Sequence, residues 1–211
     1  MTPSTATQPA QLTIDYPDGP LDRISTLLRG VYVIPIAVVV GLIGGTAFAD
    51  TAGENGARMG AVAGGVLVAP VLLMILFRQK YPRWWFDWNR ELMRFSNRVY
   101  AYGVLMDDRY PSTDDQQYVH LEFPYPDAQR DLNRWLPLVK WFLAIPHYIV
   151  LVVLNVVAAF AVVAAWFAIL VTGRYPRPIF DFVVGVFRWN NRVIGYACTL
   201  VTDEYPPFRL S

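Results

Sequence analysis

Three long segments without a charged side chain constrain the fold of this chain more than any other feature of its sequence. They cover residues 31–49, 60–77 and 142–172 and are 19, 18 and 31 residues long. A helix needs about 20 predominantly apolar residues to cross the hydrocarbon core of a bilayer. Charged residues make up only 17% of the chain, against about 25% in ordinary soluble domains. The sequence therefore predicts an integral membrane protein.

Composition also excludes several other classes of protein. Hydrophobic residues make up 55% of the chain, which excludes a disordered protein. A net charge of +1 excludes a nucleic-acid binder driven by bulk charge, so no nucleic-acid partner is expected. A single cysteine, Cys198, excludes a disulfide scaffold.

The first two apolar segments predict a helical hairpin. The intervening residues 50–59 are polar and contain Gly and Asn, which is typical of a turn. Arg23 and Arg29 precede the hairpin, and Arg78 and Lys80 follow it. Because basic residues favour the cytoplasmic side, both ends of the hairpin and the N-terminus are expected there.

The third apolar segment leaves two alternatives open. As one helix its 31 residues would extend roughly 46 Å, well beyond a core of about 30 Å. It is therefore either one long tilted helix or a re-entrant hairpin that bends near Asn155. Basic residues on both flanks, among them Lys140 and Arg174, favour the re-entrant hairpin.

An internal repeat organises most of the chain. Residues 80–102 align without gaps to residues 174–196, and ten of the 23 positions are identical. Shorter blocks match in the same order on both sides of this alignment. Upstream, Arg29 falls on Lys140, and downstream the segment LMDDRYP at 105–111 aligns to LVTDEYP at 200–206. The sequence therefore predicts a tandem duplication.

Each repeat predicts the same series of elements: a short β-strand of alternating polarity, an apolar helical hairpin and an interfacial amphipathic helix. The predicted fold class is thus a mainly α-helical integral membrane protein, and the strands of the two units could pair into a small sheet. The predicted order is a disordered polar tail at 1–11, a first unit at 12–111, a linker at 112–118 and a second unit at 119–211. The first unit contains hairpin 31–77 and interfacial helix 83–106. The second contains apolar segment 142–172 and interfacial helix 178–201.

Four short motifs stand out in the second unit: AIPH at 144–147, GRYPR at 173–177, RWNNR at 188–192 and DEYPPF at 203–208. They resemble the motifs of a bacterial integral membrane family of unknown function, domain of unknown function 4389. The second unit is the closer match, and the resemblance extends in two tandem copies over nearly the whole chain past the tail. It implies an integral membrane protein, and it implies no activity. Together with the apolar segments and their basic flanks, the sequence predicts a multi-pass protein of the bacterial cytoplasmic (inner) membrane.

The predicted interfacial helices carry an aromatic face and an arginine face, which is typical of helices lying at the level of lipid headgroups. Two hypotheses account for the repeated polar residues. Either they bind anionic lipid phosphates, or Asp and Arg form structural bridges that tie each interfacial helix to the Tyr-Pro-Arg turn before it, at 81–83 or 175–177. The candidate headgroup residues are Arg94, Asn97, Arg98, Arg188, Asn191 and Arg192. The candidate structural motif consists of Tyr81, Pro82, Arg83 and Asp87 in the first unit, and of Tyr175, Pro176, Arg177 and Asp181 in the second.

Catalytic and metal-binding patterns are not found in the sequence. His120 is expected to face water, and His147 to hydrogen bond to a carbonyl or a headgroup at the edge of the third segment. Neither has a partner at metal-ligand spacing. Asp107 and Asp108 lie in an inter-unit loop, where solvated carboxylates are expected. The sequence therefore predicts no catalytic residue, metal or cofactor.

The function expected from these features is non-enzymatic. The protein would act as a scaffold, a lipid-organising protein or an accessory subunit, with membrane lipids, including anionic phospholipids, and other membrane proteins as its partners. The alternative is a component of a small transporter for lipids or uncharged solutes, because duplicated halves are common in transporters. No Asp, Glu, Lys or Arg lies within an apolar segment to form an ion relay.

Overall fold

A computed structural model describes residues 11–17, 19–44, 68–113, 115 and 117–210, and most of the chain is helical. The elements in chain order are β1 (Gln11–Ile14), α1 (Arg23–Gly44), α2 (Val68–Arg78), α3 (Arg83–Gly103), β2 (Val119–Glu122), a 3-10 turn (Leu136–Leu138), α4 (Lys140–Leu143), α5 (Ile145–Thr172) and α6 (Arg177–Ala197). The turn expected at 50–59, most of the polar tail and two linker residues lie outside the described residues.

The two short strands pair with each other. β1 and β2 are antiparallel, with Leu12 opposite Leu121 and Ile14 opposite Val119. These four side chains are buried, while the alternate residues are exposed, because successive side chains of a strand point to opposite faces. The strands predicted from alternating polarity, and their pairing, are confirmed.

The third apolar segment forms one uninterrupted helix over most of its length, so the predicted re-entrant hairpin is wrong. α5 runs from Ile145 to Thr172, and the alternative of one long helix is observed. Pro146 lies in the first turn of α5. Backbone N–H groups in a first turn make no hydrogen bond within the helix, so the lack of one in proline costs nothing there. Asn155, where a bend was expected, donates its amide to the Leu151 carbonyl at 2.8 Å within the same helix. The polar side chain is thereby accommodated without a turn.

Helix ends follow from local sequence. α3 and α6 begin directly after Pro82 and Pro176. Each proline has an extended backbone conformation and is the last residue before the first helical turn. α5 ends at Gly173, which has a φ of 73° and so occupies the left-handed region that glycine tolerates. The two amphipathic helices match the predicted segments to within a few residues, and both are shorter at their C-termini.

The core surrounds the small sheet, and α6 is its most buried helix. α6 packs against α5, α4 and β1, so the chain itself covers most of its apolar face. α3 packs against β2 and α1 and keeps Trp84, Trp88 and Tyr100 exposed.

Candidate functional site

Two arginines connect the amphipathic helices to the sheet. Arg94 of α3 donates from Nε to the carbonyl of Leu121 in β2 at 2.8 Å. Arg188 of α6 donates from Nε to the carbonyl of Leu12 in β1 at 2.9 Å. Leu12 and Leu121 are register partners, so each helix is bonded to one member of the same residue pair. Both guanidinium groups therefore bind protein acceptors.

The other two candidate headgroup arginines lie inside the protein. Arg98 is 6% exposed and donates to the carbonyls of Ser112 and Thr113 at 2.9 and 3.3 Å. Arg192 is 4% exposed and donates from Nε to the Arg188 carbonyl at 3.3 Å. Burial lowers the pKa of Arg192, and repulsion by Arg209 and Arg188 lowers it further. These contacts favour the structural hypothesis for the repeated arginines.

The two candidate asparagines bind each other. Asn97 of α3 donates to Oδ1 of Asn191 at 2.8 Å, and Asn191 of α6 donates to Oδ1 of Asn97 at 2.7 Å. The second amide hydrogen of each residue is donated to the carbonyl four residues earlier, in Met93 and Phe187. The reciprocal bond joins helices whose residues are 94 positions apart in the chain.

The Tyr-Pro-Arg turns hold the halves of the chain together through tyrosines. Buried Tyr81 donates to the Thr199 carbonyl at 2.7 Å, and Tyr16 donates to the carbonyl of buried Tyr175 at 2.6 Å. Burial raises the pKa of both Tyr81 and Tyr175.

The arginines of these turns lie over aromatic rings. The guanidinium of Arg83 is 5.6 Å from the centre of the Tyr125 ring, and that of Arg177 is 4.7 Å from the centre of the Tyr16 ring. Such contacts stabilise exposed sites by about 0.5–1 kcal/mol. Asp87 pairs with Arg90 at 3.3 Å, and Asp181 is exposed on α6. Neither aspartate is shown bridging its helix to the Tyr-Pro-Arg turn, as the structural hypothesis had specified.

Two buried cations were not identified as structural from the sequence. Arg29 is 2% exposed; it contacts the Asp108 carboxylate and lies 4.3 Å from the centre of the Tyr102 ring. The matching residue Lys140 is fully buried, donates to the Thr202 carbonyl at 2.6 Å and pairs with Asp203 at 2.6 Å. Burial lowers the pKa of Lys140, and Asp203 opposes that shift.

The alignment of the two repeats could have indicated these two cation sites. It set Arg29 opposite Lys140 and paired the two Asp-containing segments, but Arg29 and Lys140 were used there only to assign sidedness. Asp108 therefore binds a buried arginine, and is not simply a solvated loop residue as expected.

His147 lies in an aromatic cluster where the C-terminal segment covers the start of α5. Its Nδ1 accepts a hydrogen bond from Trp189 Nε1 at 3.0 Å, and its ring stacks on Phe208 at a centroid distance of 4.0 Å. The expected carbonyl or headgroup partner is thus replaced by an indole. Among the residues that the structure describes, no group of three His, Cys, Asp or Glu side chains is placed to hold a metal ion.

A cavity of about 660 Å³ opens between α3 and α6 and is bounded by α2 and α5. Its size falls within the range of about 300–1,000 Å³ that is typical of small-molecule sites. The lining residues are Val68, Asn89, Leu92, Met93, Ser96, Asn97, Tyr100, Asn155, Phe187, Asn190, Asn191, Ile194, Cys198 and Thr199. Burial raises the pKa values of the Tyr100 hydroxyl and the Cys198 thiol. Of the five asparagines in this wall, Asn97 and Asn191 were candidate site residues from the sequence, whereas the cavity itself was not predicted.

Comparison with known proteins yields one family. The model of a domain of unknown function, DUF4389, matches residues 135–209, which include α4, α5, α6 and the C-terminal segment. One copy is matched, in the second half of the chain. No curated protein and no solved structure shows significant similarity to the chain. Residues 135–209 therefore resemble a domain to which no function is attached.

Proposed function

We propose that the protein is an integral protein of the bacterial cytoplasmic membrane, held there by α1 and α5. Two helices, Arg23–Gly41 within α1 and Ile145–Thr172, are long and apolar enough to cross a membrane. Only 22% and 17% of the residues in their most apolar stretches are buried. The apolar core helix of a soluble protein would instead be covered by the chain. This exposed apolar surface is the observation that carries the proposal.

We further propose that the chain consists of two copies of one unit. The contacts made by Arg94, Asn97 and Tyr102 in the first half are repeated by Arg188, Asn191 and Tyr196, 94 residues later. Backbone features repeat as well. Gln79 and Gly173 both have positive φ, and their N–H groups bond to Ile75 and Ile169 respectively. Such correspondence is expected if both halves descend from one folded unit.

The proposed role is a non-enzymatic scaffold that organises membrane lipids. α1 and α5 present apolar side chains, and exposed basic residues such as Arg23, Arg174 and Arg177 flank them. These exposed arginines are better placed for anionic headgroups than the buried Arg98 and Arg192. A lipid or uncharged-solute transporter component is the alternative, and the uncharged side chains that line the cavity support it.

Membrane extraction and cysteine accessibility test the location. In a Cys198→Ala background, Gln11→Cys and Glu204→Cys are to be labelled with a membrane-impermeant maleimide in intact and in permeabilised spheroplasts. We expect the protein to resist extraction by alkaline carbonate, and Gln11→Cys to be labelled only after permeabilisation. Release by carbonate would overturn integral membrane attachment. Labelling of Gln11→Cys in intact spheroplasts would overturn its cytoplasmic location, and labelling of Glu204→Cys alone would show that the two residues lie on opposite sides of the membrane.

Purification in mild detergent tests the lipid-organising role. Lipids and proteins that co-purify with the chain are to be identified in the same sample and compared with the total membrane composition. Enrichment of one lipid class would support the role. A bulk-like lipid profile accompanied by a stoichiometric protein partner would favour an accessory subunit instead.

A further inference from the structure

The cavity between α3 and α6 has hydrogen-bonding properties that select its ligand. Its walls combine apolar side chains, such as Leu92, Phe187 and Ile194, with a row of asparagines. No charged residue is among the lining side chains in the described part of the chain. A ligand of this cavity therefore meets apolar surface and neutral amide groups.

The amide hydrogens of four of these asparagines are already in use. Asn97 and Asn191 donate to each other and to the carbonyls of Met93 and Phe187. Asn155 and Asn190 donate to each other at 3.5 and 3.3 Å, and also to the carbonyls of Leu151 and Val186. Because each backbone carbonyl requires a donor, these bonds also fix which end of each amide carries the nitrogen.

The oxygen atoms of the same amides keep unused capacity. A carbonyl oxygen has two lone pairs, and each of these four Oδ1 atoms accepts one hydrogen bond from its asparagine partner. These four asparagines can therefore accept further hydrogen bonds, while both amide hydrogens of each are already donated. The guanidinium groups of Arg94 and Arg188, which could bind a phosphate, are directed to the strand carbonyls instead.

We propose that this cavity binds an uncharged lipid whose headgroup carries hydroxyl groups. Each hydroxyl would donate to an asparagine oxygen, and the hydrocarbon chains would lie along the apolar walls and continue over the exposed surface of α5. A phosphate or carboxylate headgroup is disfavoured, because it would lose its hydration in a cavity that no cationic side chain of the described residues lines. This inference deepens the proposed lipid-organising role and depends on it for access to the lipid.

Binding is to be measured on the detergent-solubilised protein with fluorescent diacylglycerol as the probe. Phosphatidic acid with the same acyl chains and fluorophore is the matched comparison, since it replaces one hydroxyl by a phosphate. We expect diacylglycerol to bind at least tenfold more tightly. The chain's single cysteine provides a second measurement, because Cys198 lines the cavity. Saturating diacylglycerol should slow its reaction with maleimide, whereas phosphatidic acid at the same concentration should not.

Two substitutions locate the binding. Ile194→Trp fills the cavity and should weaken diacylglycerol binding at least tenfold. Ile24→Trp, on the exposed surface of α1 and away from the cavity, is its control and should leave binding unchanged. Ser96→Lys places a cation in the wall and should shift the preference towards phosphatidic acid. Thermal unfolding of each variant shows whether it is folded, and the comparison of the two lipids is made on the unaltered chain as well.

These measurements distinguish a failure of the cavity proposal from a failure of the proposed membrane location. Equal affinity for both lipids, or unchanged binding by a folded Ile194→Trp variant, would overturn the cavity assignment. Because these measurements use solubilised protein, they remain informative if carbonate extraction shows that the chain is not integral. Retention in the membrane together with failure to bind diacylglycerol would refute the cavity proposal alone.

Discussion

Asn97 and Asn191 join the two amphipathic helices through a reciprocal pair of side-chain hydrogen bonds of 2.8 and 2.7 Å. Both residues are almost completely buried, at 9% and 3% exposure. Removing one partner leaves a buried amide without its hydrogen bonds, whereas removing both leaves no such group. The pair therefore stabilises the fold cooperatively.

A double-mutant cycle tests this pair. We expect Asn97→Leu and Asn191→Leu each to lower the free energy of unfolding by about 1–3 kcal/mol. The double variant should lose less than the sum of the two, with a coupling of about 0.5–3 kcal/mol. Thermal unfolding in detergent measures the three variants, and Ser96→Ala on the same helix is the control. Strict additivity would show that the pair makes no joint contribution.

Arg98 and Arg174 distinguish structural arginines from lipid-binding ones. Arg98 is buried and bonded to the Ser112 and Thr113 carbonyls, whereas Arg174 is exposed. We expect Arg98→Gln to lower the unfolding temperature and to reduce binding to anionic and neutral vesicles equally. Hydrogen bonds to charged groups contribute about 1.5–3 kcal/mol each. Arg174→Gln should leave the unfolding temperature unchanged and weaken binding to anionic vesicles only.

Vesicle flotation at low and high salt completes this comparison, because headgroup attraction is screened by salt. Selective loss of anionic binding by a fully stable Arg98→Gln variant would restore the headgroup hypothesis for this residue.

Local patterns in the sequence were sufficient to predict the strands and the two amphipathic helices. Alternating polarity in a four-residue strand indicates its buried face, and a proline at the start of a helix marks where its first turn begins. The bend expected in the third segment was inferred from flanking charges, which report sidedness and not backbone conformation. A polar residue such as Asn155 can form a hydrogen bond within its own helix, and a hydropathy profile does not reveal this.

The partners of the arginines could not be predicted for a different reason. Their acceptors are backbone carbonyls, which every residue possesses, so no residue type marks them. Arg94 binds Leu121, which lies 27 residues away, and Arg188 binds Leu12 across 176 residues. Only the pairing register of the strands brings these acceptors to the helices. The cavity likewise arises from the packing of several helices and has no signature within any one of them.

Lys140 makes stability depend on pH in the alkaline range. Its pKa is lowered in the folded protein by burial, against an ordinary value of 10.5. The unfolded chain therefore binds more protons between the folded and the ordinary pKa, and stability gains about 1.4 kcal/mol per pH unit there. We expect the wild type to gain stability relative to Lys140→Met as the pH rises towards 10.5.

Chemical unfolding of both proteins between pH 7 and 10.5 measures this difference. Comparison with the variant subtracts the contributions of Tyr81 and Tyr118, whose raised pKa values act in the opposite direction at high pH. A difference that stays constant, or that falls as the pH rises, would contradict the lowered pKa of Lys140.

His147 fixes the indole of Trp189 at the start of α5. His147→Phe keeps a ring in the aromatic cluster but removes the acceptor for Trp189 Nε1–H. We expect this variant to lose about 1–3 kcal/mol of stability, because the indole N–H is left buried without a partner. His147→Asn is the control, since its amide oxygen can replace Nδ1 as the acceptor and should restore part of the loss. Equal stability of the Phe variant and the wild type would show that the hydrogen bond contributes nothing.

Two glycines should respond to alanine in opposite directions. Gly173 ends α5 with a φ of 73°, where a Cβ atom costs about 1–2 kcal/mol. Gly30 lies within α1, and a Cβ atom built on it would meet no other atom within 4 Å. Alanine there reduces the entropy of the unfolded chain and favours the helix by about 0.5–1 kcal/mol. We expect Gly173→Ala to lower the unfolding temperature and Gly30→Ala to raise it.

Differential scanning calorimetry of both variants measures these shifts, which should be about 2–4 °C per kcal/mol for a chain of this size. Gln79 extends the test to the first half of the chain, because it also has positive φ, at 44°. Gln79→Gly should relieve that strain and raise the unfolding temperature. The gain is reduced because the Gln79 side chain no longer accepts a hydrogen bond from Arg134. A lowered temperature for Gln79→Gly together with destabilisation by Gly173→Ala would show that the two positions are not equivalent, and would weaken the proposed duplication.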